Sequence, residues 1–403
     1  MSDNLYQASN EWASRPADQR FWTIEDMYQK TRKNADESVV EEIPMRDVSF
    51  THNGSDILME LPESQASDIA MSKYGDPFAR FTHYSFGQMC RTLEAPASYL
   101  RTLPTATAVE CLNVGHQRAS IGMNGDGDDD RQFLFHANGK MKVQAQTSTK
   151  YQRVWNFEIV NRLRDLAAQG WRTPPARPSS MEGETRIATE ADTIDFGTES
   201  VLSVKAGDTI APAGLYASDH DMFAFMVNPE VVIDDGSSPG GLRRGFMVRQ
   251  SEVGDSSLWM CQFLFNTVCG NHIIWGVSQV SESRLRHVGD IHGKWGGMVA
   301  EVSSYLDATG AGQEAEIRRA KTIKLGNSKE EVLDFLFGKR LLSRRVAEQS
   351  YDIAEKYSEV HGDPRSVWGV VQGVTRLSQE SGFADRRTDL DLAAGKILVN
   401  ALA

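Results

Sequence analysis

The sequence is poor in cysteine, with four in 403 residues. Cys90, Cys111, Cys261 and Cys269 form no C-x-x-C pair, which excludes a paired-thiol redox motif and argues against a disulfide framework. Set among apolar residues, they predict small buried thiols in a reducing cytosol. No apolar stretch approaches the roughly 20 residues of a spanning helix, so no membrane partner is expected. The start, MSDNLYQASNEW, has neither a basic cluster nor an apolar run. No secretory signal is read there, and a cytoplasmic protein is expected. P-loop, G-x-G-x-x-G and H-E-x-x-H patterns are absent, which removes the commonest phosphate-binding and zinc-protease signatures. No cofactor is predicted. Excess positive charge is also missing. The net charge of −12 argues against a large duplex-wrapping surface, because such surfaces work by neutralising phosphates. It leaves room for a local basic groove.

What is present is a chain that is 40% hydrophobic, enough for a sizeable core, with a length that suggests two or three domains. Residues 1–45 read as an acidic arm whose aromatics dock on their own domain, with a helix start at Thr23. The spacing of Phe86, Met89, Cys90 and Leu93, then Tyr99 and Leu100, predicts two short helices broken at Ala95-Pro96. HQRASIGM (116–123), RQFLFHA and KMKVQAQT predict three strands, and a helix follows over about 154–168. Residues 170–212, rich in Pro, Ser and acids, read as a linker or insertion. A second unit at 213–295 opens with the strands LYASDHDMFAFMV and LRRGFMVRQSEVG around the tip DDGSSPGG. Apolar residues at 258, 261, 264, 265, 268 and 269 then predict a buried helix stopping at Gly270-Asn271, with a short strand at HIIWGV. Residues 296–403 read as helical, with caps at Ser328 and at Asp363-Pro364. The fold class is therefore α+β: two small antiparallel β units each followed by a helix, the first spanning 46–169, plus a C-terminal helical domain.

NEWASRPADQRFW (10–22), YASDHDMFAFM (216–226), RGFMVRQSEVGDSS (244–257), FLFNTVCGNHIIWG (263–276), RLRHVG (284–289) and WGVVQGVTRLSQ (368–379) together resemble the phage/plasmid-like protein family. That family is catalogued as domain of unknown function 932 and includes YfjQ-like prophage proteins. The resemblance covers nearly the whole chain and departs from the family at His272, where a small residue is usual. It implies a prokaryotic mobile-element setting. It implies no catalytic residue, because the family has no accepted one.

The chemistry-bearing residues sort by placement. Asp219-His220-Asp221 reads as a polar turn rather than a metal site, since alternate strand residues face opposite sides. Asn124–Asp130 lacks the glycine and glutamate positions of a calcium loop. Cys269 and His272 read as core and turn residues. Arg249, Ser251 and Glu252 are stronger ligand candidates, because they lie at a strand end beside an expected helix N-terminus, where free N–H groups gather. The competing reading is a buried Arg–Glu pair with a capped helix. Asn271, Arg284, Arg286 and His287 complete the candidate ligand-binding set, and no metal ligand is assigned. Between 280 and 345 there are 12 Lys/Arg against 9 Asp/Glu. With Trp275 or Trp295 alongside for stacking, this stretch suits single-stranded DNA or another nucleic acid.

The leading expectation is a non-enzymatic nucleic-acid-binding accessory protein of a mobile element, in recombination, replication or counter-defence. The strand-strand-strand-helix pattern of the first unit parallels single-strand annealing proteins of the Rad52 type, at the level of fold analogy. A metal-dependent hydrolase using Asp219, Asp221, Glu252 and His272 is the second reading. A homo-oligomeric assembly protein is the third.

Overall fold

A computed structural model describes residues 19–122, 130–173, 177–178, 185–192, 204–212, 214–234, 236, 241–266, 272–273, 282–307, 311–380 and 384–402. The chain is α+β. It opens with helix α1 (Ile24–Asp36), whose N-cap Thr23 accepts from the Asp26 amide. The strand that follows, β1 (Ser38–Pro44), pairs with a strand some hundred residues later, so the acidic arm runs directly into the first sheet. Then come β2 (Ser49–His52), β3 (Ile57–Glu60), α2 (Gln65–Tyr74), β4 (Phe78–Phe81), α3 (His83–Thr92), α4 (Ala97–Leu100), α5 (Thr105–Gly122), β5 (Asp130–His136), β6 (Lys142–Ser148) and α6 (Asn156–Ala168). The six strands order as β1-β5-β6-β4-β3-β2. All neighbours are antiparallel except β4 and β6, which run parallel, so this sheet is mixed.

One expectation holds here and one changes. The α3–α4 break at Ala95-Pro96 is as read. The segment His116–Gly122, however, is the last part of helix α5 and not a strand. Its helix begins after Pro104 and buries Ala108, Val109 and Leu112 at helical spacing. The strand-strand-strand-helix pattern behind the single-strand-annealing analogy thereby loses its first strand.

Residues 170–212 contain a small three-stranded sheet: β7 (Arg177–Pro178), β8 (Arg186–Ile187) and β9 (Thr209–Ala211), in the order β7-β9-β8. The second large sheet holds β10 (Leu215–Ala217), β11 (Met222–Ile233), β12 (Leu242–Gln250), β13 (Leu258–Asn266), β14 (His272–Ile273) and β15 (Glu282–Leu285). Strands β10 to β14 are neighbours in order, and β15 pairs with the start of β13. Every pairing is antiparallel.

The helix expected over 258–269 is therefore wrong for Leu258–Asn266, which is strand β13. The physical reason is burial on both faces. Leu258 and Met260 pack with Phe246 and Val248 against α1, α6 and helix α7 (Ile291–Asp307). Trp259, Cys261 and Phe263 pack with Tyr216, Phe223 and Met247 on the opposite face. A strand buried on two sides reads as a continuous apolar run, and period-2 alternation disappears from the sequence. The cap expected at Gly270-Asn271 lies outside the described residues, as does the bulk of HIIWGV.

The C-terminal part holds α8 (Ala311–Thr322), α9 (Lys329–Gly338), α10 (Arg344–Lys356), α11 (Ser358–His361), α12 (Val367–Glu380) and α13 (Ala384–Leu402). Ser328 caps α9, accepting from the Glu331 amide at 3.3 Å. Asp363 does not cap α12. It accepts from the Arg365 amide, and the Ser366 hydroxyl caps the helix through Gly369. The helices share one core with Ile233, Leu242 and Leu264 of the second sheet. Of the described cysteines, Cys90 and Cys261 are buried, whereas Cys111 is exposed on α5.

Candidate functional site

The turn from Ser251 to Ser257 links β12 to β13 and projects into the first sheet. Gln88 on α3 donates to the Val253 carbonyl at 2.8 Å, and its own Oε1 accepts from the Gln146 amide of β6. Gly254 has φ +82° and lies against Thr147 and Tyr151. Ser251 donates to the His220 carbonyl at 2.6 Å, and its hydroxyl also accepts from the Asp255 amide at 3.0 Å. Tyr151 donates to the Ser251 carbonyl at 2.8 Å. Arg153 donates to the Glu252 carbonyl and reaches Gln132 on β5. The turn thus fastens the two sheets together.

Glu252 is buried, and its Oε1 accepts from the backbone amide of Asn156 at 2.5 Å. Asn156 is the first residue of α6, and the preceding Trp155 offers no side-chain cap. Glu252 therefore caps a helix from another part of the chain. The helix expected to begin after this strand end is strand β13, and the helix N-terminus that stands here belongs to α6. Burial pushes the Glu252 carboxyl up to about 7, against the opposing pull of the Asn156 amide and Arg153. His287 stacks on Tyr151 with ring centroids 4.8 Å apart. Its Nδ1 lies 3.1 Å from the Gln152 carbonyl, and burial lowers its pKa to about 4. Burial also lowers Arg153 and raises Tyr151 and Tyr84.

Arg249 is buried, with Nη2 3.3 Å from Asp255 and 4.0 Å from Asp221. The strand register places Tyr216, Phe223, Arg249, Trp259 and Arg284 in one row across the sheet. The Arg249 guanidinium lies 5.2 Å from the Phe223 ring centre, and that of Arg284 lies 5.6 Å from Trp259. Cation and ring thus alternate along part of the row.

The structure therefore brings Arg249, Ser251, Glu252 and His287 into one buried neighbourhood, where their described contacts are with the protein itself. Arg284 and Arg286 are exposed, with Arg284 joined to Arg249 through Trp259. Asn271 lies outside the described residues, as does Trp275, and the His272 side chain is not described. Trp295 is buried in the core beneath the second sheet and offers no stacking face. Asp219-His220-Asp221 forms the turn between β10 and β11, with Asp221 accepting from Ser218 at 2.8 Å. Among the described residues, no three His, Cys, Asp or Glu side chains are grouped to hold a metal ion.

The more accessible chemistry lies on the turn between α9 and α10. Phe337 is 55% exposed, although its helix buries Val332, Leu333 and Leu336. One residue beyond Leu336, it points about 100° away round the helix. Phe337, Gly338, Arg340, Leu341, Leu342 and Ser343 line an open cleft of about 540 Å³. Lys339, Arg340, Arg344 and Arg345 are exposed around it. Arg344 pairs with Glu348 at 3.4 Å. Lys339, Arg340 and Arg345 make no ion pair among the described residues. Arg340 has φ +54°, a conformation that normally selects glycine at a helix end. Arg344 and Arg345 occupy the first turn of α10, whose N-cap Ser343 makes no side-chain bond. Two cations there oppose the helix dipole, and a bound anion would offset them. Elsewhere in the basic stretch, Arg318 and Lys324 are paired with Glu314 and Asp363.

The basic residues of this turn were legible in the sequence. Phe337 was not singled out, although its place off the buried face of α9 was available from helical spacing. Tyr151, Arg153 and Asn156 carried no such signal, because their roles depend on contacts with residues about a hundred positions away. No family model, curated protein or solved structure matches the chain.

Proposed function

We propose that this is a non-enzymatic nucleic-acid-binding accessory protein of a mobile genetic element, acting in the cytoplasm of a prokaryotic host in recombination, replication or counter-defence. The observation that carries the binding role is the group of exposed cations Lys339, Arg340 and Arg345, without ion pairs among the described residues, around the α9–α10 turn. In a chain of net charge −12 these cations form a local positive patch, and such a patch raises the local concentration of an anionic partner. The resemblance to the phage/plasmid-like family supplies the setting.

The test is a titration of labelled oligonucleotides across salt. Affinity falls linearly with salt on logarithmic axes, and replacing Lys339, Arg340 and Arg345 together by glutamine flattens the slope by roughly two to three. Failure of the wild-type protein to bind any oligonucleotide at low salt overturns the reading.

A further inference from the structure

We propose that the Phe337 cleft seats an unstacked base, so that the preferred nucleic acid is single-stranded. This inference rests on the nucleic-acid reading above and deepens it. Phe337 is an exposed ring in a concavity, not one of a row of apolar residues on a convex face. The floor is apolar, with Leu342 buried and Leu341 half-buried. A Cβ on Gly338 would meet no atom within 4 Å, so the space beside the residue next to Phe337 is open. Arg340 lines the same cleft, and its backbone amide is bonded to the Phe337 carbonyl at 2.9 Å, which fixes the two backbone positions relative to each other.

An exposed aromatic ring and a cationic rim match the two parts of a single strand: a base with a free face and a phosphate beside it. In a duplex both faces of each internal base are already stacked, so the ring would have nothing to receive. A lipid surface is the weaker fit, since interfacial helices bury a broad apolar face. Here Val332, Leu333 and Leu336 are already consumed by the core, and Phe337 projects alone.

The experiment measures fluorescence anisotropy with three probes of equal length: single-stranded oligothymidine, the same sugar–phosphate strand without bases, and a duplex. Phe337→Ala weakens oligothymidine binding about tenfold and leaves the abasic strand unchanged, whereas Phe337→Trp retains affinity. Arg340→Gln weakens binding to both single strands. Wild-type preference for the duplex, or an equal effect of Phe337→Ala on thymidine and abasic strands, overturns the base-seating proposal while nucleic-acid binding stands. Loss of binding to anionic phospholipid vesicles in Phe337→Ala, with oligothymidine unaffected, also overturns it. Absence of binding to all three probes at low salt overturns the underlying reading instead. Because Phe337 is exposed, its variants keep the wild-type melting temperature, which serves as the folding control.

Discussion

Glu252 accepts a hydrogen bond from the first amide of α6, that of Asn156, at 2.5 Å. A carboxylate and a helix N-terminus attract each other, yet burial holds this carboxyl near 7, above its ordinary 4.5. The folded state therefore binds more protons than the unfolded state over this window. Through this group, stability falls as pH rises from about 4.5 to about 7. His287 works in the opposite sense. Its folded pKa of about 4 lies below the ordinary 6.5, so the unfolded state binds more protons and stability rises over that interval. Below pH 6.5 the two contributions oppose each other. Melting temperature against pH is expected to slope upward between pH 4 and 6.5 in Glu252→Gln, and downward between pH 4.5 and 7 in His287→Gln. Identical profiles for both variants and wild type would remove this account.

Arg249 is held between Asp221 and Asp255 in a buried setting. Truncating one partner of such a group strands the others without a counter-charge. Arg249→Met is expected to cost about 3 kcal/mol in urea denaturation. Adding Asp221→Asn should return part of that loss, because it removes one stranded charge. A double variant no more stable than the single one would show that the pairing is incidental.

Arg340 is an L-residue at φ +54°. Replacement by glycine relieves a left-handed backbone and is expected to add roughly 1 kcal/mol of stability. The same change removes a rim cation, so oligonucleotide affinity should fall while the protein becomes more stable. Gains in both would argue against a binding role at that position.

Two helical glycines are expected to respond in opposite directions to alanine. A Cβ on Gly373 would lie 2.1 Å from the Ser350 backbone oxygen, and no side-chain rotation relieves that. Helices α10 and α12 would have to separate, at a cost of about 2 kcal/mol or more. A Cβ on Gly297 of α7 meets nothing within 4 Å, so alanine there should stabilise by roughly 0.5–1 kcal/mol through helix propensity. Chemical denaturation of the two variants decides it.

These relationships show what the sequence could and could not disclose. Strands β10 to β12 were legible because turn residues separate their apolar runs, and the C-terminal helices because their apolar residues repeat on one face. β13 is buried on both faces, as β11 and β12 are, but its apolar run also fits helical spacing at 258, 261, 264 and 265 and so mimics a helix. Tail residues of α5 were misread because HQRASIGM, taken without the turns before it, mimics alternation. At the candidate sites, the cations of 339–345 were visible as residues. The role of Glu252 was not, since its helix partner lies 96 positions earlier in the chain.

Ile233, Leu242 and Leu264 of the second sheet sit in the same apolar cluster as Trp368, Val371 and Ile397 of the terminal helices. The boundary near residue 295 is thus a change of secondary structure, not a seam along which the chain divides. A fragment ending there would leave three strand residues facing water where α8, α12 and α13 had stood, and the missing helices would have no sheet to fold upon. The second sheet and the terminal helices should accordingly unfold together, so the α9–α10 turn, for all its exposure, depends for its support on Ile233, Leu242 and Leu264.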